Sequence, residues 1–387
     1  MSQTTTQQPT RDATATLARA ILALRPLAET GYRLRVDVPP AVVALAWALG
    51  VELSAAGGAP AGRFDAIVAG VLAPHLSAAD GLVGPGRLEE IAGTARAEAF
   101  AGFRSGADVR TADGATLRTY AAGDPTRPAV VLASACGMPA ELCEPWMRAL
   151  AADHLVITWE TRGLFADAPY AARDVAAFDR LAGDVAAQAG DLLAVLDHHG
   201  ISTAHVMGLC GGAVIALRAA AVAAGRITSL SLWHGDFSGT ATPTTGHQDN
   251  LKALLAMAAG SRADAAAING ALVATALDAV PADVAHLVVY PYADDELFYR
   301  YCILTGATMT TDLGALLPGI TQPCLVVTSE DDRTAHPGGS HAIAGRLPRA
   351  RLRVEPHGDH ISVFGADARL QHILTDFLNT VDAAPSV

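Results

Sequence analysis

Cys210 stands in the run Val206-Met207-Gly208-Leu209-Cys210-Gly211-Gly212-Ala213, between an apolar stretch and a helix-forming one. That spacing, G-x-C-x-G, suits a cramped strand-to-helix bend. Glycines at 208 and 212 allow the strand end and the helix start to touch where a Cβ would clash. A thiol on such a bend lies at a helix N-terminus, whose partial positive charge favours the thiolate. The competing readings are a buried packing cysteine and a dinucleotide-binding turn. The latter lacks the G-x-G-x-x-G order and falls late in the chain. A nucleophilic thiol needs a base, and the base an orienting group. Asp331 and Asp332 follow the apolar run Cys324 to Val327, within Ser329-Glu330-Asp331-Asp332. His360 ends Gly358-Asp359-His360, just after the next strand-like run. Asp332 and His360 are the first choices for these roles. Asp331, Asp236 and His357 compete with them, and His336 reads as a loop residue.

Together, GLCGG at 208–212, SEDD at 329–332 and GDH at 358–360 resemble the three catalytic segments of the α/β-hydrolase superfamily. The resemblance spans about residue 107 to the C-terminus. It implies a nucleophile–acid–histidine order with Cys210 in place of the usual serine, Asp332 as acid and His360 as base. It also implies an oxyanion hole made by the backbone N–H groups of Gly211 and Met138. The second donor lies in Ser134-Ala135-Cys136-Gly137-Met138-Pro139, where the family usually has His-Gly and this chain has Cys136-Gly137. Cys136 reads as a packing residue, with a second thiol near the site as the alternative. Trp159-Glu160-Thr161-Arg162-Gly163 resembles the family's D-x-R-G segment with Glu for Asp, which implies that Arg162 holds a loop.

A thiolate attacks esters and thioesters and forms a thioester intermediate. Dienelactone hydrolases and polyhydroxyalkanoate synthases share a Cys-Asp-His logic, but their substrates differ too widely to carry over. TWETRGLF at 158–165 and the GLCGG elbow are also similar to tailoring α/β-hydrolases of tetronate polyketide pathways, which eliminate acetate from an O-acetylated intermediate. Three functions stay open: hydrolysis or acyl transfer through acyl-Cys210 in secondary metabolism; a lyase expelling a carboxylate, with His360 as base or Cys210 as transient acetyl acceptor; and a non-catalytic ligand-binding protein on this fold.

The elements that must position these residues follow from the hydrophobic pattern. Residues 1–10 read as a disordered tail. Residues 11–105 read as a helical module without convincing strand alternation, its stripes being Leu17, Ile21, Leu24 and Leu27, then Val42, Leu45 and Leu49 behind Pro39 and Pro40. Ala56 to Gly62 reads as a separator, and Leu88 to Ala99 as a further helix. Residues 109–111 and 116–120 flank an Ala112-Asp113-Gly114 turn and predict a hairpin. Apolar runs at 129–133, 155–159, 204–207, 227–233 and 324–327 predict strands buried on both faces. Phe178, Leu181, Val185, Leu192, Val195 and Leu196 predict one long helix, and 351–355 and 368–380 a final strand and helix. The alternation predicts an α/β fold, a mostly parallel central sheet with helices on both faces and right-handed crossovers. The core is expected over 106–238 and 320–387. Residues 239–319 form a helical lid insertion over the strand ends, with Tyr292, Phe298 and Tyr299 roofing a bulky, apolar substrate or packing within the lid.

Composition bounds the rest. The chain has 387 residues, a net charge of −12 and a single lysine, Lys252, with no basic run. That argues against nucleic acid and anionic membranes as partners. The polar start shows no secretory signal, and the most apolar stretch, Ala41 to Val51, is about half a bilayer span. Five cysteines without CxxC or Cys/His metal spacing fit free thiols in a cytoplasmic protein. No cofactor and no metal is expected. A small-molecule substrate is the expected partner; the N-terminal helices are compatible with a carrier protein or a second copy, and the charge pattern demands neither.

Overall fold

The computed structural model describes residues 7–57, 62–82, 84–165, 174–275 and 281–383. The chain divides into two compact units. The first comprises Met1–Arg104 and Asn269–Asp295 with a short segment outside the described residues; the second carries the rest.

The first unit is helical. Its helices are α1 (Gln7–Ala23), α2 (Arg25–Glu29), α3 (Pro40–Ala48), α4 (Arg63–Leu72), α5 (Pro85–Glu98) and α6 (Phe100–Phe103). Of the tail expected to be disordered, residues 1–6 lie outside the described residues and 7–10 open α1. The separator at 56–62 also falls largely outside them. Leu17, Ile21, Leu24, Leu27, Val42 and Leu45 all lie fully buried in one apolar cluster. One feature departs from the all-helical expectation: β1 (Leu34–Arg35) pairs in parallel with β2 (Leu53–Ser54). Two residues are too few to display an alternating pattern.

The second unit is built on an eight-stranded sheet ordered β10-β9-β8-β7-β5-β6-β4-β3. The hairpin β3 (Ser105–Arg110) and β4 (Thr116–Ala122) is antiparallel and forms one edge. Next to it lie β6 (Leu155–Trp159), β5 (Ala129–Ala133), β7 (Ala204–Leu209), β8 (Ile227–Trp233), β9 (Cys324–Ser329) and β10 (Ala350–Glu355), all parallel. Strands β5, β6, β7 and β9 are buried at every residue. That is the condition for an unbroken apolar run in a sheet covered on both sides. The pleat shows both layers on β7. Ala204 and Val206 join the cluster of α9 (Val185–His198) and α10 (Gly212–Val222), while His205 turns to the other face. Its ring lies 5.9 Å from that of Phe377 on α16 (Ala368–Asp382). The remaining helices of this unit are α7 (Glu144–Leu150), α8 (Val175–Asp179), α11 (Gly246–Ala258), the start of α12 (Arg262–Thr275), α14 (Asp295–Thr310) from Glu296 and α15 (Pro337–Arg346); the end of α12 from Asn269 and α13 (Ala285–Val288) belong to the first unit.

The single long helix expected from Phe178 to Leu196 is two. Asp184 accepts the Ala187 N–H at 2.8 Å as N-cap of α9, so a new helix starts where the apolar spacing runs on unbroken. Among the described residues, 239–319 contain no strand, and the segment divides between the units, with 269–295 in the first. No helix among the described residues is long and apolar enough to cross a membrane.

Candidate active site

Cys210 follows directly on β7 and adopts φ 56°, a left-handed conformation rare for a residue with a Cβ. Its N–H is held by Trp233 O of β8 at 3.0 Å. The two motif glycines have separate steric reasons. A Cβ on Gly208 would sit 2.5 Å from Ala213 Cα, so strand and helix touch there. A Cβ on Gly212 would sit 1.9 Å from Ala133 O, so the helix start presses against the end of β5 instead.

His360 is brought in by its own loop. Gly358 takes φ 136°, and Ser329 Oγ at the end of β9 donates to Gly358 O. Asp359 Oδ1 accepts the N–H groups of Ile361 and Ser362 at 3.0 and 2.7 Å and starts a 3-10 turn, Ser362–Gly365. The result sets His360 Nε2 2.5 Å from Cys210 Sγ. Asp332 stands on the loop after β9 with its side chain fully buried. Its Oδ1 accepts from Thr334 N and Ala335 N at 2.9 and 3.0 Å. Its Oδ2 lies 3.9 Å from His360 Nδ1, beyond hydrogen-bond distance. The atom that does bond Oδ2 is His234 Nδ1, at 2.8 Å. His360 Nδ1 has no hydrogen-bond partner among the described residues.

His234 is the residue sequence reasoning missed. It follows Trp233 at the end of β8, is buried and adopts φ 45°. The other candidates lie elsewhere. Asp331 and His357 face each other at 3.3 Å on the surface. His336 caps α15 through Nδ1, which accepts from Gly338 N. Asp236 is engaged by Gln248 Nε2 at 2.7 Å and Ser238 N at 3.0 Å. Phe298 packs against Tyr301, with ring centroids 6.4 Å apart, and Tyr299 lies under the Arg262 guanidinium. Tyr292 belongs to the first unit.

The loop after β5 is braced from β6. Thr161 Oγ1 accepts the Gly137 N–H at 2.9 Å, and Met138 N donates to Ala135 O at 3.4 Å within the turn. Buried Glu160 accepts from Arg118 Nε at 2.9 Å and from the Tyr120 hydroxyl at 3.1 Å. Arg162 binds Asp191 of α9 and Asp113 of the hairpin turn. Burial lifts Asp191 to about 6 against the pull of Arg162.

The pull of the helix N-terminus on Cys210 acts in the expected direction but is outweighed by burial. The helix N-terminus does not make Cys210 a resting thiolate. Withdrawal of solvent pushes its thiol up, the Asp236 charge adds to this, and the Gly211 N–H only partly opposes it. The same desolvation lowers His360, against the attraction of Asp332. Burial works on Asp332 in the raising direction, but the His234 hydrogen bond, the His360 ring and the Ala335 N–H outweigh it and hold it below the ordinary carboxylate value. The resting site is therefore a neutral thiol, a neutral imidazole and a carboxylate. The second thiol nearby, Cys136, is buried and pushed up to about 11 by desolvation.

A mostly parallel sheet with a strained residue at the bend between β7 and α10, and a histidine delivered to it from beyond the last strand, decides the architecture. The fold is the α/β-hydrolase fold. An enol-lactonase from Burkholderia xenovorans superposes with a TM-score of 0.55 at 22% identity, over 70% of this chain and all of its own. A 2-hydroxy-6-oxo-6-phenylhexa-2,4-dienoate hydrolase from Rhodococcus does so at 0.53 and 18%, over 71% and 99%. In sequence, the proposed carbamate hydrolase RutD of Variovorax paradoxus is 29% identical over 66% of this chain and 93% of its own length. The RutD of Pseudomonas savastanoi is 27% identical over 65% and 94%. No protein-family model matches the chain.

Proposed function

We propose that this chain is an α/β-hydrolase-type enzyme that attacks an ester- or thioester-like carbonyl with Cys210 and either hydrolyses the acyl group or passes it on. The observation that carries this reading is the contact between Cys210 Sγ and His360 Nε2 at a strained bend. The names of its relatives, which concern carbamate, enol-lactone and ester-type hydrolysis, support the same class of carbonyl substrate. Because the thiol is neutral at rest, His360 takes the Sγ proton through Nε2 as the sulfur–carbon bond forms. The carbonyl pair moves onto oxygen, which the Gly211 N–H receives; the Met138 N–H, which donates to Ala135 O at 3.4 Å, has to turn from that bond to join it. The imidazolium then gives that proton to the leaving group, and water or another acceptor releases the acyl group from Cys210. Asp332 faces the charged ring.

A second reading is favoured by the neutral, buried state of His360 beside a thiol that keeps its proton. Such a base suits direct removal of a carbon-bound proton and elimination of a carboxylate, as in the acetate-eliminating tetronate enzymes that segments 158–165 and 208–212 resemble.

Intact-protein mass after mixing with an activated ester tests the first reading. A single acyl adduct is expected, and it is expected to vanish in Cys210→Ala; no adduct on the wild-type chain refutes acyl transfer. With a turned-over substrate in heavy-oxygen water, hydrolysis places label in the released acid, while direct elimination leaves it unlabelled.

A further inference from the structure

We propose that His234 is a positioning residue of the site, holding the Asp332 carboxylate away from His360 until His360 becomes charged. This rests on Cys210 and His360 being the reacting pair. A carboxylate only accepts hydrogen bonds, so the 2.8 Å contact requires the proton on His234 Nδ1. A thiol that keeps its proton donates it to His360 Nε2, which leaves the ring proton on His360 Nδ1. That buried donor has no hydrogen-bond partner among the described residues, although the carboxylate lies only 3.9 Å away. An unsatisfied buried donor beside an unused acceptor lone pair calls for a physical cause. Here the cause is visible. Asp332 Oδ1 is tied to two backbone N–H groups and Oδ2 to His234, so the carboxylate is fixed at three points and cannot turn.

When the Sγ proton moves to His360, the ring gains a full charge and Oδ2 still has a lone pair for its Nδ1–H. The attraction between them then grows at the moment charge develops. An interaction stronger in the transition state than in the ground state accelerates the chemical step. Cys210 touches His360 Nε2, and the charges that act on the ring are those of Asp332, Asp236, His234 and His247. Of these, His234 is the one that hydrogen-bonds the orienting carboxylate.

His234→Gly and His234→Asn separate this role from a structural one, because both residues tolerate the left-handed backbone and only Asn keeps a donor at the Nδ1 position. The readout is the rate of Cys210 alkylation by iodoacetamide at pH 7, followed by peptide mass. Without the donor, Asp332 turns to His360 and favours the imidazolium. Alkylation in His234→Gly is expected to rise about tenfold, one pKa unit of added thiolate–imidazolium pair. The gain is expected to disappear on adding Asp332→Asn, and His234→Asn is expected to stay within about twofold of wild type. A His234→Gly rate at or below wild type, or an equal gain in His234→Asn, overturns the proposal. Should His234→Gly fail to fold, nitrogen-15 spectra of the wild-type histidines carry the test. A slowly exchanging Nδ1 proton is expected on His234 and not on His360, and the reverse pattern overturns the proposal. Alkylation needs no acyl chemistry. A wild type that forms no acyl adduct yet shows this pattern refutes the acyl-enzyme reading alone, and an adduct with unchanged alkylation refutes the role of His234 alone.

Discussion

Gly212 is the position where one added carbon meets the most resistance. Its Cβ would fall 1.9 Å from Ala133 O, the backbone of a buried strand end, with Ser134 O of the following residue at 2.8 Å. Gly212→Ala is expected to destabilise the fold by at least the upper end of the roughly 1–3 kcal/mol usual for overpacking. Urea denaturation measures this, and an unchanged midpoint would contradict the close approach. The contact of Cys210 with His360 and the place of Asp332 after β9 could be anticipated from short motifs, but the hydrogen-bond partner of Asp332 could not. His234 was not legible, since its meaning depends on a carboxylate 98 residues away. Its neighbour Asp236, the more chemical-looking residue, is instead engaged by Gln248 and Ser238. The neutral thiol was illegible for a related reason: desolvation is a sum over the surroundings, whereas the helix N-terminus can be read from the motif alone.

At the scale of elements, the strands were legible wherever burial on both faces made the apolar run continuous. The break between α8 and α9 was hidden because Phe178 and Val185 both lie buried and keep the stripe in phase across it. The cap makes a test. Asp184→Ala removes the acceptor for Ala187 N, and a loss of about 1 kcal/mol is expected in denaturant titrations. A larger loss is expected for Arg162→Ala, which strips α9 and the β3–β4 turn of their shared cation and leaves Asp191 buried without a counter-charge. Removing one partner of a buried pair typically costs about 3–5 kcal/mol. Thermal unfolding that matches wild type would show that the guanidinium does not hold these elements.

Each unit of the whole molecule contains a buried histidine that folding keeps neutral. In the sheet unit, His205 sits between Ser229 and Ser231, and desolvation lowers it to about 3. In the helical unit, burial lowers His286 to about 4. The unfolded chain takes up a proton at either site below about pH 6.5, and the folded chain does so only much lower. The stability these groups allow is therefore complete above pH 6.5 and lost progressively toward pH 3–4. Denaturant titrations from pH 7 to 4 are expected to show this decline, with a shallower slope in His205→Phe; parallel slopes would contradict the linkage. The division into two units was only partly legible. The helical character of 269–295 could be read, but not its membership of the N-terminal unit, because which core a helix joins is not written in its own periodicity.

The left-handed backbone at Cys210 sets durability and reactivity against each other. A residue with a Cβ in that conformation costs about 1–2 kcal/mol that glycine does not. Cys210→Gly is therefore expected to melt higher than the natural chain while forming no adduct. Selecting libraries of this protein for heat resistance alone would be expected to enrich inert molecules, so any search for a hardier catalyst has to score turnover in the same round.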